Sequence, residues 1–220
     1  MTTLLHPSDK QKKGLLNGLA LLAQIFWGPE PALCRDMVRG SFRSDLEALG
    51  PLLDSPGLED LNRLQVYAQN RTSPEELCRE LEEDYLRLFV TAREGIHHPP
   101  YQSLYETEEG RLMGRPALMM AKRLEALGVD HRSGTKEPPD HLAVEIEYLF
   151  LALEGGLKHG QEGLIALARE FAGEEMLPWV ARLAQGLKSD KEAGDFYPAA
   201  AGLLVSVLEI VAGREKPPGN

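Results

Sequence analysis

Apolar residues recur along almost the whole chain at intervals of three or four positions. Leu15, Leu19, Leu22 and Phe26 form one such set, and the same spacing returns over residues 142–153. This interval places apolar side chains on one face of an α-helix. The chain lacks convincing runs of alternating apolar and polar residues between hairpin turns, which are typical of β-strands. The pattern therefore predicts an all-α fold.

Prolines and glycines divide this helical pattern into about nine helices, because both residues interrupt or weaken a helix. Gly28 and Pro29 are predicted to end the first helix. Ser73, followed by Pro74, is predicted to begin another, since Ser caps a helix and Pro suits its first position. Gly128 is predicted to end the helix before a polar linker, because glycine adopts the left-handed conformation easily.

The linker divides the predicted helices into two sets. We expect a single helical bundle over residues 1–213, with N-terminal helices at 8–128, a hinge at 129–139 and C-terminal helices at 140–213. In the C-terminal set, helices are predicted over residues 164–171, 177–187 and 193–211. The tail at 214–220 has no apolar side chain to dock it and is predicted to be flexible. A hinge of this kind permits two copies to exchange helices, so a domain-swapped homodimer is one expectation.

Composition is that of a globular protein. Of 220 residues, 43% are hydrophobic and 26% charged, and a chain of this length can bury a core without cross-links. Cys34 and Cys78 lie in no C-x-x-C or Cys/His cluster and are predicted to be free thiols. No segment approaches the ~20 apolar residues of a membrane span, and the first residues lack the basic and apolar regions of a signal peptide. These features predict a cytoplasmic location.

The chain is acidic. With 34 acidic and 24 basic residues, its formal net charge is -10 at pH 7. A charge of this sign repels nucleic acids and anionic membranes and favours basic partners. We therefore expect neither a nucleic-acid partner nor stable insertion into a membrane.

Three short segments between residues 84 and 150 carry the candidate chemistry. The first begins at Asp84 and places Tyr85, Leu88 and Phe89 within one turn of a predicted helix. Core packing is an adequate explanation for Leu88 and Phe89. A buried Tyr85 hydroxyl would need a polar partner.

The second segment contains Pro99, Pro100 and Tyr101. It is predicted to be a loop, because each proline biases the preceding residue toward an extended conformation. Ser103 and Tyr105 are expected to add hydroxyl groups to this loop. A rigid proline segment with aromatic neighbours can bind a peptide or simply connect two helices.

The third segment runs from Glu137 to Glu145. Asp140 is predicted to lie in the first turn of the following helix, where a carboxylate satisfies free backbone amides and the helix dipole. His141 and Glu145 are four positions apart, so their side chains can meet on one face and share a proton or a hydrogen bond.

Catalytic uses of the third segment have weaker support. A metal site would lack the H-E-x-x-H or Cys-rich spacing of known sites. Acid–base catalysis by Asp140 and His141 would lack a visible nucleophile. We therefore expect no catalytic residue, no bound metal and no cofactor. The alternative is a helical metal-dependent hydrolase or phosphate-handling enzyme that uses Asp140, His141 and Glu145, and a further alternative is a scaffold that dimerises through apolar surface.

The three segments together resemble the signature of the TorD/DmsD-type, NarJ-related redox-enzyme maturation chaperones. The chain carries Y-x-x-L-F at 85–89, P-P-Y-x-S-x-Y at 99–105 and E-P-x-D-H-x-x-x-E at 137–145. Pro178–Trp179 and Phe196–Tyr197 also fall where this family has a Pro-Trp helix start and an F-Y pair. The first 70 residues carry no family motif, and we expect them to contribute to the choice of partner.

The resemblance implies a cytoplasmic helical chaperone with a hydrophobic groove beside the hinge. In such proteins the groove accepts the leader peptide of a molybdenum-containing oxidoreductase precursor, which carries two arginines followed by an apolar run. The chaperone would hold the apoenzyme until its cofactor is inserted and delay twin-arginine export. Asp84, Glu137 and Asp140 are expected to meet the arginines. The expected peptide-binding residues are Asp84, Tyr85, Leu88, Phe89, Pro99, Pro100, Tyr101, Ser103, Tyr105, Glu137, Pro138, Asp140, His141 and Glu145.

Overall fold

The protein is almost entirely helical. The structure, a computed structural model, describes residues 8–90, 97–106, 111–130 and 136–214. Within these ranges there are eleven α-helices: α1 (Asp9–Trp27), α2 (Pro31–Arg39), α3 (Ser41–Glu47), α4 (Ser55–Gln69), α5 (Pro74–Tyr85), α6 (Ser103–Glu106), α7 (Arg115–Ala126), α8 (Leu142–His159), α9 (Glu162–Glu170), α10 (Leu177–Ser189) and α11 (Phe196–Ala212). The described ranges contain no β-strand, only an isolated bridge between Tyr101 and His141. The predicted all-α fold is confirmed.

Three helix boundaries lie where the sequence predicts them. Gly28, with a φ of 103°, ends α1, and Gly128, with a φ of 75°, follows the end of α7. Both φ values lie in the region that glycine adopts at little cost. The Ser73 hydroxyl accepts a hydrogen bond from the Glu76 amide at 3.2 Å and so begins α5.

Two helices continue through wide turns that the sequence did not predict. α5 runs into a π-helical turn at Leu86–Val90, and α9 reaches α10 through a π-helical turn at Phe171–Met176. The helices predicted at 164–171 and 177–187 correspond to α9 and α10, but they are joined by this turn instead of being separated by a break. Pro178 lies in the first turn of α10, just after the π-helical turn has shifted the backbone hydrogen-bond pattern. Its missing amide therefore does not break the helix.

The N-terminal and C-terminal helices share one hydrophobic core. α1 packs against α8, and α11 packs against both α4 and α10. Leu19 of α1, Leu149 of α8 and Leu204 of α11 are all fully buried in the same cluster. Because each large apolar side chain contributes about 1.5–3 kcal/mol on burial, this core couples the two sets energetically.

The hinge at 129–139 and the exchange of helices between copies stay predictions, since residues 131–135 lie outside the described ranges. The predicted flexible tail also lies outside them from residue 215 onward. Its first residue, Arg214, donates a hydrogen bond to the Gly173 carbonyl at 2.8 Å. None of the helices in the described ranges combines the length and apolarity that crossing a membrane requires.

An ion pair between a buried carboxylate and an exposed lysine joins α4 to α10. The Asp60 carboxylate accepts a hydrogen bond from Lys188 Nζ at 3.0 Å, and Arg63 lies 4.0 Å from its other oxygen. Gly202 of α11 lies beside this pair, so closely that a Cβ atom at this position would overlap the Asp60 carboxylate. The absence of a side chain at Gly202 allows the three helices to meet around the pair.

The two cysteines lie close together between α2 and α5. Cys34 is buried, Cys78 is half-buried, and both are free thiols. Burial, followed by the neighbouring Cys78, raises the pKa of the Cys34 thiol to about 12. Cys34 therefore stays protonated and unreactive at neutral pH.

Candidate functional site

The second and third sequence segments cross each other in an antiparallel arrangement. The Gln102 amide donates to the Asp140 carbonyl at 3.1 Å, and the Leu142 amide donates to the Pro100 carbonyl at 2.8 Å. The bridge between Tyr101 and His141 lies between these two hydrogen bonds. Two segments separated by about forty residues of sequence, each rich in proline, are thereby fixed side by side.

Asp140 is completely buried and caps a helix other than the predicted one. Its Oδ2 accepts hydrogen bonds from the Ser103 amide at 2.8 Å and from the Ser103 hydroxyl at 2.5 Å. The Ser103 hydroxyl in turn accepts a hydrogen bond from the Gly114 amide at 3.0 Å. Asp140 therefore caps the N-terminus of α6, although the two are distant in the sequence.

The predicted position of Asp140 in the first turn of the following helix was wrong. α8 begins at Leu142, and His141 is its N-cap, with Nδ1 accepting a hydrogen bond from the Ala143 amide at 3.2 Å. The His141 ring stacks on Trp27 at a centroid distance of 5.1 Å and meets Tyr101 edge-on at 5.2 Å. Because the imidazole takes over the cap of α8, the Asp140 carboxylate is left for α6.

Glu145 is also completely buried, in the first turn of α8. Its Oε2 accepts a hydrogen bond from the Trp179 indole at 3.1 Å. Burial, followed by the nearby charge of Asp140, raises the pKa of Glu145 well above its usual value. The carboxyl group therefore tends to hold a proton in the folded protein. Sharing of a proton between His141 and Glu145 stays a prediction.

Trp179 was not assigned a partner from the sequence, although its Pro-Trp motif was noticed. Trp179 packs against Tyr105 at a ring-centroid distance of 5.3 Å. The Arg182 guanidinium lies over the same tyrosine, 5.5 Å from its ring centroid. Ser103 and Tyr105 lie in α6 rather than in the expected loop. The reason is the Asp140 carboxylate, which supplies the cap that a helix of one turn needs.

The first segment contributes mainly to the core. Tyr85 is the last residue of α5 and donates its hydroxyl to the Phe26 carbonyl at 3.2 Å. Leu88 and Phe89 lie in the π-helical turn and are almost fully buried. Leu88 would have to leave the core to meet a peptide. Asp84 is engaged with Arg87 in the same turn, at 2.5 Å.

An aromatic pocket lies where the first segment meets the other two. Its volume is about 410 Å³. Tyr101 donates its hydroxyl to Glu137 Oε2 at 2.7 Å on the wall of this pocket. We call this cavity the aromatic pocket. Its lining includes Trp27, Tyr85, Phe89, Tyr101, Glu137 and His141.

A larger apolar groove lies between α7 and the segment that precedes α8. Its volume is about 1020 Å³. Ala117, Leu118 and Ala121 line its α7 side, and Pro138 and Pro139 line the opposite side. The resemblance implied a groove beside the hinge, but none of these α7 residues was predicted for it. The apolar residues of α7 spread over more than one face, which is the sequence signal that was available.

The apolar groove exposes side chains that are usually buried. Leu118 is 61% exposed and Met113 is 56% exposed. Met113 also has a φ of 60°, which is uncommon for a residue with a side chain. Lys122, Glu125 and Asp130 add charges to the rim. Glu137 lines both the groove and the aromatic pocket, so this residue stands at their junction.

The residues of the catalytic alternative are poorly placed for substrate. Asp140 and Glu145 are fully enclosed, and His141 is 2% exposed. In the described part of the chain, no group of three or more His, Cys, Asp or Glu side chains is placed to hold a metal ion. The buried carboxylates act on α6 and on the Trp179 indole instead.

Comparison with known proteins identifies the family of the chain. The family model described as the nitrate reductase delta subunit matches residues 51–185. The TorD chaperone of Photobacterium profundum is 32% identical over 205 residues, which cover 86% of this chain and 92% of the relative. The chain belongs to the TorD/DmsD-type, NarJ-related family of redox-enzyme maturation chaperones. The TorD chaperone of Vibrio parahaemolyticus is 33% identical over 170 residues, or 74% of each chain.

A solved structure shows that this family fold is shared more widely. It is a crystal structure from Archaeoglobus fulgidus, described as a candidate redox enzyme maturation protein. It matches 92% of this chain and 97% of its own with a TM-score of 0.50 and 21% identity. The all-helical architecture of the TorD/DmsD-type family therefore extends to this archaeal protein.

Proposed function

We propose that the protein is a cytoplasmic chaperone that binds the twin-arginine leader and the apo form of a molybdenum-containing oxidoreductase. In this role it assists insertion of the cofactor and delays export. Family membership supports a part in the maturation of a redox enzyme. The leader, the molybdenum-containing client and the compartment are our proposal, and the apolar groove is the observation that carries it.

The dimensions and lining of the groove suit an apolar peptide segment. Its volume of about 1020 Å³ reaches the upper end of the ~300–1,000 Å³ typical of ligand sites. Leu118 and Ala121 are three positions apart and face the same space, as in helix-in-groove recognition. Burying the exposed Leu118 side chain under a ligand would contribute about 1.5–3 kcal/mol.

Asp140 and His141 have a positioning part in this proposal. Both are buried, so neither can touch a leader that lies in the groove. The His141 amide donates to the Pro138 carbonyl at 3.0 Å, and this contact holds the proline wall of the groove. Substituting Asp140 removes its hydrogen bonds to Ser103, and substituting His141 removes the side-chain cap of α8, so either change is expected to weaken leader binding by displacing this wall.

Leu118→Asp tests the groove directly. We expect this variant to bind a synthetic peptide with two consecutive arginines and a leucine- and alanine-rich run at least about tenfold more weakly, or about 1.4 kcal/mol, since a charge replaces an apolar contact. Fluorescence anisotropy of the labelled peptide measures the affinity. Because Leu118 is exposed in the free protein, the substitution leaves the core unchanged.

Leu167→Asp is the matched control. Leu167 is 40% exposed on α9 and lies outside the groove lining. The Leu167→Asp variant should bind the peptide with the affinity of the wild-type protein. Equal affinity of Leu118→Asp and Leu167→Asp would refute the groove as the leader site.

The client is tested by affinity capture from the native cytoplasm followed by mass spectrometry. We expect enrichment of a molybdoenzyme precursor that still bears its leader, and loss of this precursor with Leu118→Asp but not with Leu167→Asp. Capture of the mature enzyme without its leader, equally by both variants, would contradict leader recognition.

A further inference from the structure

The thiols of Cys34 and Cys78 face each other where α2 packs against α5. Cys78 is half-buried and donates its thiol to the Pro29 carbonyl at 3.8 Å. Cys34 is fully buried and has the Cys78 thiol as its side-chain hydrogen-bond partner. One partly accessible sulfur atom therefore lies beside one enclosed sulfur atom. We call these two residues the thiol pair.

The thiol pair lies along the contact that α5 makes with the end of α1 and the turn that follows it. Cys78 and Tyr85 are seven positions apart and share one face of α5. At the Tyr85 end of this contact, the tyrosine hydroxyl donates to the Phe26 carbonyl at 3.2 Å. Tyr85 and Trp27 both line the aromatic pocket. A covalent bond at the thiol pair would therefore hold α5 in place about two turns of helix away from a residue of this pocket.

The two thiols differ in their access to an oxidant. A thiolate is the form that attacks a peroxide, and the peroxide must also be able to reach it. Cys78 is partly exposed and can be reached from solution. Burial, followed by the neighbouring Cys78, raises the pKa of the Cys34 thiol to about 12, and solvent does not reach this residue. Cys34 is therefore protected from the oxidant, but it lies next to the product that forms on Cys78.

We propose that the thiol pair is a redox site, which a hydroperoxide closes to an internal disulfide that holds α5 in its native place. The Cys78 thiolate attacks the peroxide, so that an S–O bond forms, the O–O bond breaks, and the departing oxygen takes up the proton that Cys78 released. The Cys34 sulfur then attacks the Cys78 sulfenic acid, so that the S–S bond forms, the S–O bond breaks, and the departing hydroxide leaves as water with the Cys34 proton. The thiol pair loses two electrons, and the peroxide is reduced to water and an alcohol, or to two waters.

A bond between Cys34 and Cys78 would close a loop of more than forty residues. Closing a loop of this length restricts the unfolded chain and thereby stabilises the folded protein. In a reducing compartment such bonds are transient and respond to oxidants, so the thiol pair would act as a redox sensor and not as a permanent cross-link. The inference is independent of the proposed function, because neither cysteine lines the apolar groove.

Exposure of the purified wild-type protein to hydrogen peroxide tests the bond directly. The remaining thiols are blocked with N-ethylmaleimide in denaturant, and tryptic peptides are analysed by mass spectrometry. We expect a pair of peptides joined through Cys34 and Cys78, lighter by two hydrogen atoms than the reduced peptides, and its loss after dithiothreitol. Methionine sulfoxide, which peroxide also produces, is reversed by dedicated reductases and so persists in dithiothreitol. Two blocked thiols, sulfinic acid at Cys78 beside a free Cys34, or a bond between two copies of the protein would each overturn the proposal.

Two matched variants assign the roles of the cysteines. In Cys34→Ser, peroxide should form a sulfenic acid at Cys78 that a dimedone probe captures, because the second thiol is absent. In Cys78→Ser, Cys34 should stay reduced under the same treatment, because it is enclosed. Circular dichroism confirms that each variant is folded, and the peptide mapping of the wild-type protein does not depend on either variant. Equal oxidation of the remaining cysteine in both variants would contradict the assigned roles.

Thermal unfolding shows whether the bond fits the native packing of α5. We expect the oxidised wild-type protein to unfold at least about 5 °C above the reduced protein, since the disulfide restricts the unfolded chain. Cys78→Ser treated with the same peroxide is the control, because its methionines are oxidised but the bond cannot form, and its Tm should not rise. If the bond formed in the wild-type protein and the Tm stayed the same or fell, the disulfide would not hold α5 in its native place, and the proposal would fail.

Discussion

Two carboxyl groups, Asp140 and Glu145, are enclosed beneath the crossing of the proline segments. Each has one oxygen, Oδ1 of Asp140 and Oε1 of Glu145, without a hydrogen-bond partner among the described residues. Burying two neighbouring charges with incomplete hydrogen bonding is costly. A proton on Glu145 removes one of those charges, which explains the direction of its pKa shift.

Glu145 should therefore make stability depend on pH. Its folded-state pKa is raised above the usual 4.5, so the folded state keeps a proton that the unfolded state has released. The stabilisation is complete below about pH 4.5 and is lost as the pH rises through the raised pKa, by at most about 1.4 kcal/mol per pH unit. Glu145→Gln, which keeps an oxygen for the Trp179 indole, should lose this dependence.

Urea unfolding over a range of pH measures the difference between wild type and Glu145→Gln. We expect the wild-type protein to lose stability relative to the variant as the pH rises above 4.5. Glu83→Gln, at an exposed position of α5, controls for the change in net charge. A difference that does not vary with pH would contradict a protonated Glu145.

At the scale of single residues, the sequence indicated which side chains matter for the structure, but it did not indicate which residues they contact. Asp140 was singled out as a cap, and it is one. The helix that it caps begins at Ser103, far away in the sequence, and local capping rules cannot identify such a partner. Trp179 is a similar case, because its hydrogen bond to Glu145 joins two helices that are distant in the sequence.

Among the elements, α11 meets the Asp60–Lys188 pair of α4 and α10 at Gly202. Gly202→Ala places a methyl group against the buried Asp60 carboxylate of the Asp60–Lys188 pair. We expect a loss of about 1–3 kcal/mol from overpacking, which exceeds the gain of up to about 1 kcal/mol from the better helix propensity of alanine. Denaturant unfolding measures the change in the free energy of unfolding.

Gly163→Ala is the matched control for that substitution. Gly163 also lies inside a helix, α9, but an added Cβ atom would have no neighbour within 4 Å. Alanine should leave stability unchanged or raise it slightly. If Gly202→Ala were as stable as Gly163→Ala, the packing argument for α11 would be wrong.

Helix ends were predictable wherever a residue of special conformation determines them. Gly28 and Ser73 are examples, because a left-handed glycine and a capping hydroxyl act locally. The π-helical turns at 86–90 and 171–176 carry no such residue signal. The helical periodicity passes through both turns, and only tertiary packing selects the wider backbone.

For the whole molecule, the shared core predicts cooperative unfolding. The chain has two tryptophans, Trp27 in α1 and Trp179 in α10, so each set of helices carries one fluorescent probe. In Trp27→Phe and Trp179→Phe, we expect the remaining tryptophan and circular dichroism to give coincident transitions. Trp179→Phe should be less stable overall by about 1 kcal/mol, since it loses the hydrogen bond to Glu145.

Separate transitions in either variant would show that the two sets of helices fold independently across the segment at 129–139. The all-α class was predictable because it depends on periodicity along the whole chain. The α7 lining of the groove was not, because a helix with apolar residues on two sides is usually buried on both. Only the packed molecule shows that the Leu118 side is left uncovered.

The position of Glu137 on the wall between two cavities has a consequence for selectivity among the many apolar segments of a cell. A ligand that fills both cavities has to reach to both sides of Glu137 at once. A ligand that fills only one of them leaves the other open to solvent. The length and shape of a peptide would therefore be selected together with its composition.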